Sequence, residues 1–541
     1  MNTAVASEWL VVITALAVVL VCAYSIYIVW RELRLHSTLT LLYSGLLAGS
    51  IVFLGYGCLI ITKHFSVDSF NEYYDIAPFF ALSIGRYINS GVNLILSDIF
   101  HINQTMQQQP LIFMWCLSLI FFILGLSLKI ADCMKQSGVR TLILIIAIIA
   151  IGMVNPFMME LILFPEMASP LTVANVSGCC AIFSFSEFMQ EEKIRKRIAD
   201  SIICTLMFLI VIGTYQEYLG ILVSAIIVLI LVYKKNDGIA QLKWIVVVLV
   251  YGAGASVFNV WIVSYLRRKE IIGNTGRGAE LSNNIIKRNV IAVSRYFLGF
   301  IKNANGLISG KLMMPVVIAI ILGIITTIIT IKGVLQKLVF CLSLLGCIGL
   351  AYAPHIVEGN IVLNARSTCA VWSVFSVFSV CAFYYIQNLR TNRNRNKIIS
   401  YFTETLVIFF IITNVIVQQD MASNQMVTYT LDRTEAEEIV NRIEEYESTN
   451  KVEIKKIATI GDKNETAYDE LSKYRDGELG KRIMATHYSN YRLINYLSNR
   501  NLQLCDVSKY VRDKAKTTDW YKFDPEQQIF FEGDTVNIIV Y

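Results

Sequence analysis

The strongest constraint on the fold of this chain is a series of about twelve apolar runs, most of them close to twenty residues long. A helix of that length crosses the hydrocarbon core of a bilayer, which is about 30 Å thick. With 55% hydrophobic and 16% charged residues, the 541-residue chain lacks the polar surface that a water-soluble protein needs. The sequence therefore predicts a polytopic α-helical membrane protein. The runs lie near residues 9–30, 38–62, 110–129, 140–154, 170–188, 198–213, 217–232, 244–265, 312–332, 337–353, 361–387 and 399–418.

Lys and Arg residues are distributed unevenly between alternate loops, and this bias predicts the orientation, because cytoplasmic loops retain positive charge. One set of short loops carries eighteen Lys and Arg residues, whereas the other set carries twelve, nine of them in residues 266–311. We expect the first set to be cytoplasmic. Both termini and the loops 63–109, 155–169, 266–311 and 354–366 are then extracytoplasmic.

Composition divides the chain into three predicted parts. Residues 1–37 hold the first span and a cytoplasmic loop, and no basic residue precedes that span in MNTAVASEW, so we expect a true span and not a cleaved signal peptide. Residues 38–420 hold the remaining spans. Residues 421–541, with 17 basic and 21 acidic residues, are predicted to form a small extracytoplasmic α/β domain. Only Cys505 of the twelve cysteines lies there, which excludes a disulfide within that domain.

Three patterns predict the elements of this last part. A capping box at Thr434 to Glu437 predicts the start of a helix. Alternating apolar residues predict strands at 452–461 and 533–541, and SNYRLINYLSNR is typical of a helix.

The stretch KHFSVDSFNEYYD after the second span is the first candidate for chemistry, because it places carboxylates at the membrane surface. Asp68 is positioned to take a proton from an acceptor hydroxyl, with Asp75 as a second candidate and Glu72 between them. The alternative is that these acids belong to an ordinary solvated loop.

Arginines in the outer loops are candidates for binding phosphate, since a guanidinium matches phosphate oxygens with a planar fork. Arg86 lies in LSIGRYINS, which we predict to be a helix in the membrane interface, and Arg277 lies in the cation-rich loop 267–288. Arg366 lies at the mouth of two spans. Snorkelling to lipid headgroups, or an amphipathic interfacial helix in the long loop, would explain the same cations.

Polar residues in three further outer segments are candidates for binding a sugar or for capping helix ends. Glu160 and Glu166 lie in the apolar loop NPFMMELILFPEMASP, where unpaired acids would be costly. The hairpin TYQEYLG supplies Tyr215, Gln216 and Glu217, and residues 353–367 supply His355 and Glu358. A lone histidine such as His355 is more often structural than catalytic.

The sequence lacks the motifs that usually mark several classes of function. The sequence contains no P-loop, no dinucleotide-binding Rossmann motif and no zinc-spaced Cys/His set, and nothing points to nucleic acid. Hardly any ionisable residue lies near the middle of a span, whereas a transporter usually needs such residues. A polysaccharide polymerase or ligase that uses lipid-linked sugars, and a lipid-linked-sugar flippase or exporter, stay open as alternatives to a glycosyltransferase.

An ordered set of motifs resembles the bacterial Gtr-type glucosyltransferase domain family of O-antigen modification. The set runs from about residue 38 to the end of the chain. It comprises Asp68 after a span, GRYIN at 85–89, HIN at 101–103 ahead of Gln109-Pro110, NPFMMELILFPEMAS, TYQEYLG and NARS at 364–367. Two features depart from the family: the extra span at 9–30, and Asp68-Ser69 where members often have adjacent acids.

The resemblance implies a GT-C class enzyme of the bacterial cell membrane that transfers a hexose, typically glucose, from a polyprenyl-phosphate carrier on the outer leaflet to a cell-surface glycan. It implies inversion at the anomeric carbon and an acid in the first outer loop, matched here by Asp68. We expect Arg86, Arg277 and Arg366 to hold the phosphate, and Glu160, Tyr215, Gln216, Glu217 and His355 to contact the sugar. No cofactor is expected with certainty, and a divalent metal stays open.

Overall fold

The computed structural model describes residues 3–70, 81–134, 139–234, 236–272, 282–387, 393–461, 474, 479, 481–486, 488–517 and 523–540. Within these ranges, eleven helices are long and apolar enough to cross a membrane, or twelve if one bent pair counts as a single span. All twelve predicted apolar runs coincide with these segments, so the prediction of a polytopic helical membrane protein is confirmed.

The helices are, in chain order, α1 (Thr3–Leu33), α2 (Thr38–Ile61), α3 (Tyr87–Asn93), α4 (Gln108–Met134), α5 (Val139–Met153), α6 (Pro156–Ile162), α7 (Ala168–Gln190), α8 (Ile194–Thr214), α9 (Gln216–Tyr233), α10 (Gly238–Arg268), α11 (Asn283–Asn303), α12 (Gly310–Thr330), α13 (Val334–Ile356), α14 (Cys369–Gln387), α15 (Arg393–Asn450), α16 (Asn490–Ser498), α17 (Lys509–Thr517) and α18 (Pro525–Gln528).

The bent pair is α5 and α6, which meet at an angle of 54°. Asn155 adopts an extended conformation between them, and its side-chain oxygen accepts hydrogen bonds from the backbone N–H groups of Phe157 and Met158. Pro156 follows at the first position of α6. Proline cannot continue the preceding helix but fits the start of a new one, so the NPF sequence accounts for the break.

Burial separates inner from outer helices. In α9, 89% of the residues in the most apolar stretch are buried, whereas the corresponding share in α12 is 17%. Since the apolar side chains that α12 exposes would contact lipid tails, α12 lies at the periphery and α9 near the centre of the bundle.

The last membrane helix, α15, is 58 residues long and runs through the predicted domain boundary at residue 421. The predicted capping box was wrong: Thr434 lies inside this helix, and its hydroxyl donates to the carbonyl of Thr430, one turn earlier, at 2.9 Å. Residues 393–450 contain neither Gly nor Pro. No helix-breaking residue interrupts that stretch. The helix therefore continues through Thr434, and the capping pattern does not mark a helix start.

Among its described residues, the C-terminal part contains a four-stranded sheet with strand order β2-β1-β4-β3. The strands are β1 (Lys456–Ile460), β2 (Gln503–Leu504), β3 (Ile529–Glu532) and β4 (Thr535–Ile539). β1 pairs in parallel with β2 and β4, and β3 pairs antiparallel with β4. The predicted strands at 452–461 and 533–541 are thus confirmed, as is the helix predicted from SNYRLINYLSNR, which is α16.

A separate apolar core joins this sheet to the membrane helices. Ile457 and Val536 of the sheet pack in one cluster with Ile439 and Ile443 of α15. The same cluster includes Phe65 from the segment after α2. The C-terminal part is therefore held against the end of the bundle that carries residues 62–70.

Candidate functional site

A cavity of about 910 Å³ lies where the connections between several membrane helices gather. These connections belong to segments that the sequence assigns to one side of the membrane. Seven of the ten predicted site residues line it, although they are spread over almost 300 positions of sequence. They are Asp68, Arg86, Tyr215, Gln216, Glu217, His355 and Arg366.

Of the other three predicted site residues, one lies beside the cavity and two fall outside the described residues. Glu160 is fully buried beside the cavity, and its Oε2 accepts a hydrogen bond from the backbone N–H of Arg366 at 2.6 Å. It therefore holds the backbone of an arginine. Asp75 and Arg277 lie outside the described residues, as does Glu72.

Arg86 directly precedes α3 and follows a glycine in the left-handed region, Gly85, with φ of 82°. The predicted interfacial helix is present but is mostly buried, against α1 and α8. Gly91 permits this packing, because a Cβ there would lie 2.9 Å from the backbone nitrogen of Ala15 in α1. The predicted helix is confirmed, and a small residue allows its close contact with α1, whereas its place in the membrane interface stays a prediction.

Tyr215 connects the two arginines that line the cavity. Its ring lies under the guanidinium of Arg86, with 4.4 Å from Cζ to the ring centroid. Its hydroxyl donates to the backbone carbonyl of Arg366 at 3.2 Å. Burial raises the pKa of the Tyr215 hydroxyl, so it remains a donor at neutral pH. The aromatic face and the hydroxyl thus fix one arginine relative to the other.

The Arg366 side chain is partly exposed and stacks over the ring of Phe164, with Cζ 4.0 Å from the ring centroid. Together with the bond from its backbone N–H to Glu160, this contact holds the residue at both ends. A guanidinium fixed in this way needs little reordering to bind an anion.

His355 lies between two carboxylates at the cavity wall. Its Nε2 is 3.4 Å from Oε1 of Glu217 and its Nδ1 is 3.3 Å from Oε2 of Glu358. Nε2 is also 2.7 Å from the carbonyl of Ser367. Both ring nitrogens face acceptors, an arrangement that suits an imidazolium with two N–H donors. His355 consequently fixes the position of Glu217.

The second carboxylate oxygen of Glu217, Oε2, is buried and has no hydrogen-bond partner among the described residues. Glu217 as a whole is 5% exposed and lines the cavity. A buried oxygen without a partner is costly, and a hydroxyl donor from a ligand would remove that cost.

Asp68 is partly buried at the edge of the cavity. Its Oδ1 accepts a hydrogen bond from the hydroxyl of Tyr488 at 3.0 Å, and its backbone N–H donates to Ser66 Oγ at 3.2 Å. Ser66 and Ser69 donate to the two carboxylate oxygens of Glu166 at 3.2 and 3.3 Å. A second acid at position 69 would face Glu166, which explains physically why serine stands here.

Several lining residues were not predicted individually as site residues, among them Asn259, Arg267, Tyr488 and Arg492. Arg267 begins the cation-rich segment 267–288 that the sequence singles out, and the structure places it in the last turn of α10. Asn259 is a lone amide in an apolar span, which is a usable signal, because such a group needs a polar partner. Tyr488 and Arg492 carry no local signal, since only the tertiary fold brings them to the cavity.

Within the described ranges, no three His, Cys, Asp or Glu side chains are close enough together to hold a metal ion.

Fold and site together define a polytopic helical membrane protein with a polar cavity whose lining includes carboxylate and arginine side chains. No protein-family model matches the chain, and no curated protein matches it either.

Proposed function

We propose that the protein is a membrane glycosyltransferase of the GT-C kind, similar to the Gtr-type glucosyltransferases. It transfers a hexose, glucose by that resemblance, from a polyprenyl-phosphate carrier to a cell-surface glycan at the outer face of a bacterial cell membrane. The observation that carries this proposal is the presence of Asp68, Arg86 and Arg366 in the lining of one cavity. These groups provide a base and two phosphate-binding cations, and Glu217 adds an acceptor for a sugar hydroxyl.

In the proposed reaction the acceptor hydroxyl attacks the anomeric carbon directly and inverts it. Asp68 takes the hydroxyl proton as the new glycosidic bond forms. The bond between the anomeric carbon and the phosphate oxygen breaks, and its electron pair leaves with the polyprenyl phosphate. Arg86 and Arg366 stabilise the charge on that phosphate, where preorganised cations lower the barrier most effectively.

The sugar would lie near Glu217, whose buried Oε2 can accept a hydrogen bond from a ring hydroxyl. His355 contacts the other oxygen of this carboxylate, and Glu358 contacts the second ring nitrogen of His355. A site that binds a hydroxyl in this way discriminates strongly against a sugar that lacks it, because the carboxylate oxygen would then stay unpaired.

The test is transfer by the protein reconstituted in lipid with a polyprenyl-phosphate hexose and a cell-surface glycan. Asp68→Asn should abolish transfer while the protein still inserts and folds. Asp237→Asn is the matched control: Asp237 caps α10, and asparagine caps a helix equally well. Full activity of Asp68→Asn would remove the base assignment.

The products distinguish the remaining alternatives. A single added hexose supports the proposal, whereas a growing chain indicates a polymerase or ligase. Movement of the lipid-linked sugar across the bilayer without transfer indicates a flippase. Loss of transfer in EDTA, with recovery on adding Mg²⁺ or Mn²⁺, would show that a divalent cation takes part.

A further inference from the structure

Three consecutive backbone carbonyls just before Arg86 each accept a hydrogen bond from a side chain of a membrane helix. The pairs are Arg267 Nη2 to Ser83 O at 2.9 Å, Gln216 Nε2 to Ile84 O at 2.8 Å and Asn259 Nδ2 to Gly85 O at 3.2 Å. Gln216 is the first residue of α9, and the other two donors lie eight positions apart on α10. We call these three donors the carbonyl clamp.

The clamp depends on the glycine at its end. The positive φ of Gly85 turns the chain in a way that L side chains rarely adopt. A Cβ at this position would also overlap with Oδ1 of Asn259. The turn is closed by the backbone N–H of Arg86, which donates to the carbonyl of Ala81 at 2.8 Å. The backbone of Arg86 is thus tied to two membrane helices through the preceding turn.

We infer that Asn259, Gln216 and Arg267 are positioning residues that hold Arg86 where its guanidinium meets the phosphate of a lipid carrier. This inference rests on the proposed function, which assigns a phosphate to Arg86. A bidentate bond between guanidinium and phosphate requires the two planes to match, so a shift of about 1 Å in the backbone weakens it. The amide of Gln216 serves this turn through its nitrogen, which gives it a role other than the predicted sugar contact.

The chain offers a matched control on the same helix. Gln241 of α10 donates through Nε2 to the carbonyl of Leu231 in α9 at 3.2 Å. This bond joins the same two helices as the clamp does, but it lies eighteen positions from Asn259, on the order of 27 Å along the helix. Gln241→Leu therefore removes an equivalent buried amide without affecting Arg86.

The experiment measures binding of a polyprenyl phosphate to the full-length protein in detergent, from the rise in unfolding temperature with ligand concentration. Asn259→Leu and Gln241→Leu should both lower the stability of the ligand-free protein. Only Asn259→Leu should also raise the apparent Kd, by about 10- to 100-fold, since a lost buried hydrogen bond is worth about 1–3 kcal/mol. The Arg267→Lys variant keeps a donor and should therefore bind the polyprenyl phosphate more tightly than the Arg267→Met variant does.

The outcomes separate this inference from the proposed function. Equal effects of Asn259→Leu and Gln241→Leu on the apparent Kd would overturn the inference alone. Binding of polyprenyl phosphate by the wild-type protein without any sugar transfer would overturn the proposed function alone. Absence of binding by the wild-type protein would overturn both. Competition by inorganic phosphate at similar concentrations would show that the site takes free phosphate and not a lipid carrier.

Discussion

The hydroxyl of Tyr488 donates a hydrogen bond to Oδ1 of Asp68 at 3.0 Å, across 420 positions of sequence. Tyr488 lies just before α16, and Arg492 in that helix also lines the cavity. The part of the chain that follows the last membrane helix therefore forms a wall of the cavity beside the proposed base. An acceptor that reaches Asp68 must pass next to this wall.

We expect Tyr488→Phe to lower kcat for transfer about tenfold and to lower the free energy of unfolding by about 1 kcal/mol. The carboxylate of Asp68 would lose a fixed donor, worth about 1–1.5 kcal/mol, and would spend less time in one orientation. Steady-state kinetics and thermal unfolding measure the two effects. Tyr510→Phe is the control, because Tyr510 is 64% exposed. Equal activity of the two variants would contradict a role for the Tyr488 hydroxyl.

Gly85→Ala should abolish most transfer, because a methyl group at this position meets Asn259 and the backbone has a φ of 82°. The matched control is Gly306→Ala. Gly306 has a φ of 93°, but its Cβ would have no atom within 4 Å. Both variants should lose about 1 kcal/mol of stability from the unfavourable φ, and Gly85→Ala should lose more. Similar activity and unfolding temperatures for the two variants would show that the turn tolerates displacement.

Arg482→Met should destabilise the C-terminal part by about 3–5 kcal/mol, because it leaves two carboxylates buried next to each other. Arg482 is 2% exposed, and its guanidinium contacts Asp432 Oδ1 at 3.3 Å and Glu435 Oε2 at 2.5 Å in α15. Limited proteolysis and thermal unfolding would detect the loss.

Arg433→Met is the control, because Arg433 adjoins Asp432 in α15 but forms an exposed ion pair. Arg433 pairs with Glu437 at 2.7 Å, but both side chains are about half exposed. A pair of this kind is worth at most about 1 kcal/mol. If Arg482→Met lowered the free energy of unfolding no more than Arg433→Met does, the buried cluster of Arg482, Asp432 and Glu435 would not hold the C-terminal part to α15.

The membrane helices could be predicted from sequence because the length of a span is set by the bilayer and not by the rest of the fold. The end of the last helix could not. Thr434 and Glu437 form a local capping pattern, but whether such a pattern ends a helix depends on what precedes it. Here no Gly or Pro lies in residues 393–433 to break the helix, and packing on Ile439 and Ile443 stabilises the continuous helix.

In the candidate site, too, individual residues could be predicted from sequence, whereas their contacts could not. Asp68, Arg86 and Glu217 could be singled out because charged groups at the ends of apolar spans need a reason to be there. The contact of Asp68 with Tyr488 joins residues 420 positions apart, and no local pattern encodes it. The hydrogen bond from Gln216 to the carbonyl of Ile84 also joins distant positions, so residue type alone left both a sugar contact and helix capping open for this side chain.

His64 should make the protein less stable as the pH falls from about 6.5 to about 4. Its side chain is fully buried just after α2, and burial lowers its pKa from 6.5 to about 4. Between these values the unfolded chain binds a proton that the folded protein does not, so the free energy of unfolding decreases as the pH falls. Below about pH 4 both states are protonated, and the loss levels off near 3 kcal/mol.

The variant His64→Gln removes this titration and keeps an amide that can donate to the carbonyl of Thr62, near the present position of Nδ1. The backbone bond from His64 N–H to Gln108 at 3.1 Å does not depend on the side chain. Thermal unfolding at pH 7.5, 6, 5 and 4 should therefore show a smaller loss of stability for the variant than for the wild-type protein. Parallel curves would mean that His64 takes up its proton equally in the folded and unfolded chains, which is incompatible with a buried, neutral imidazole.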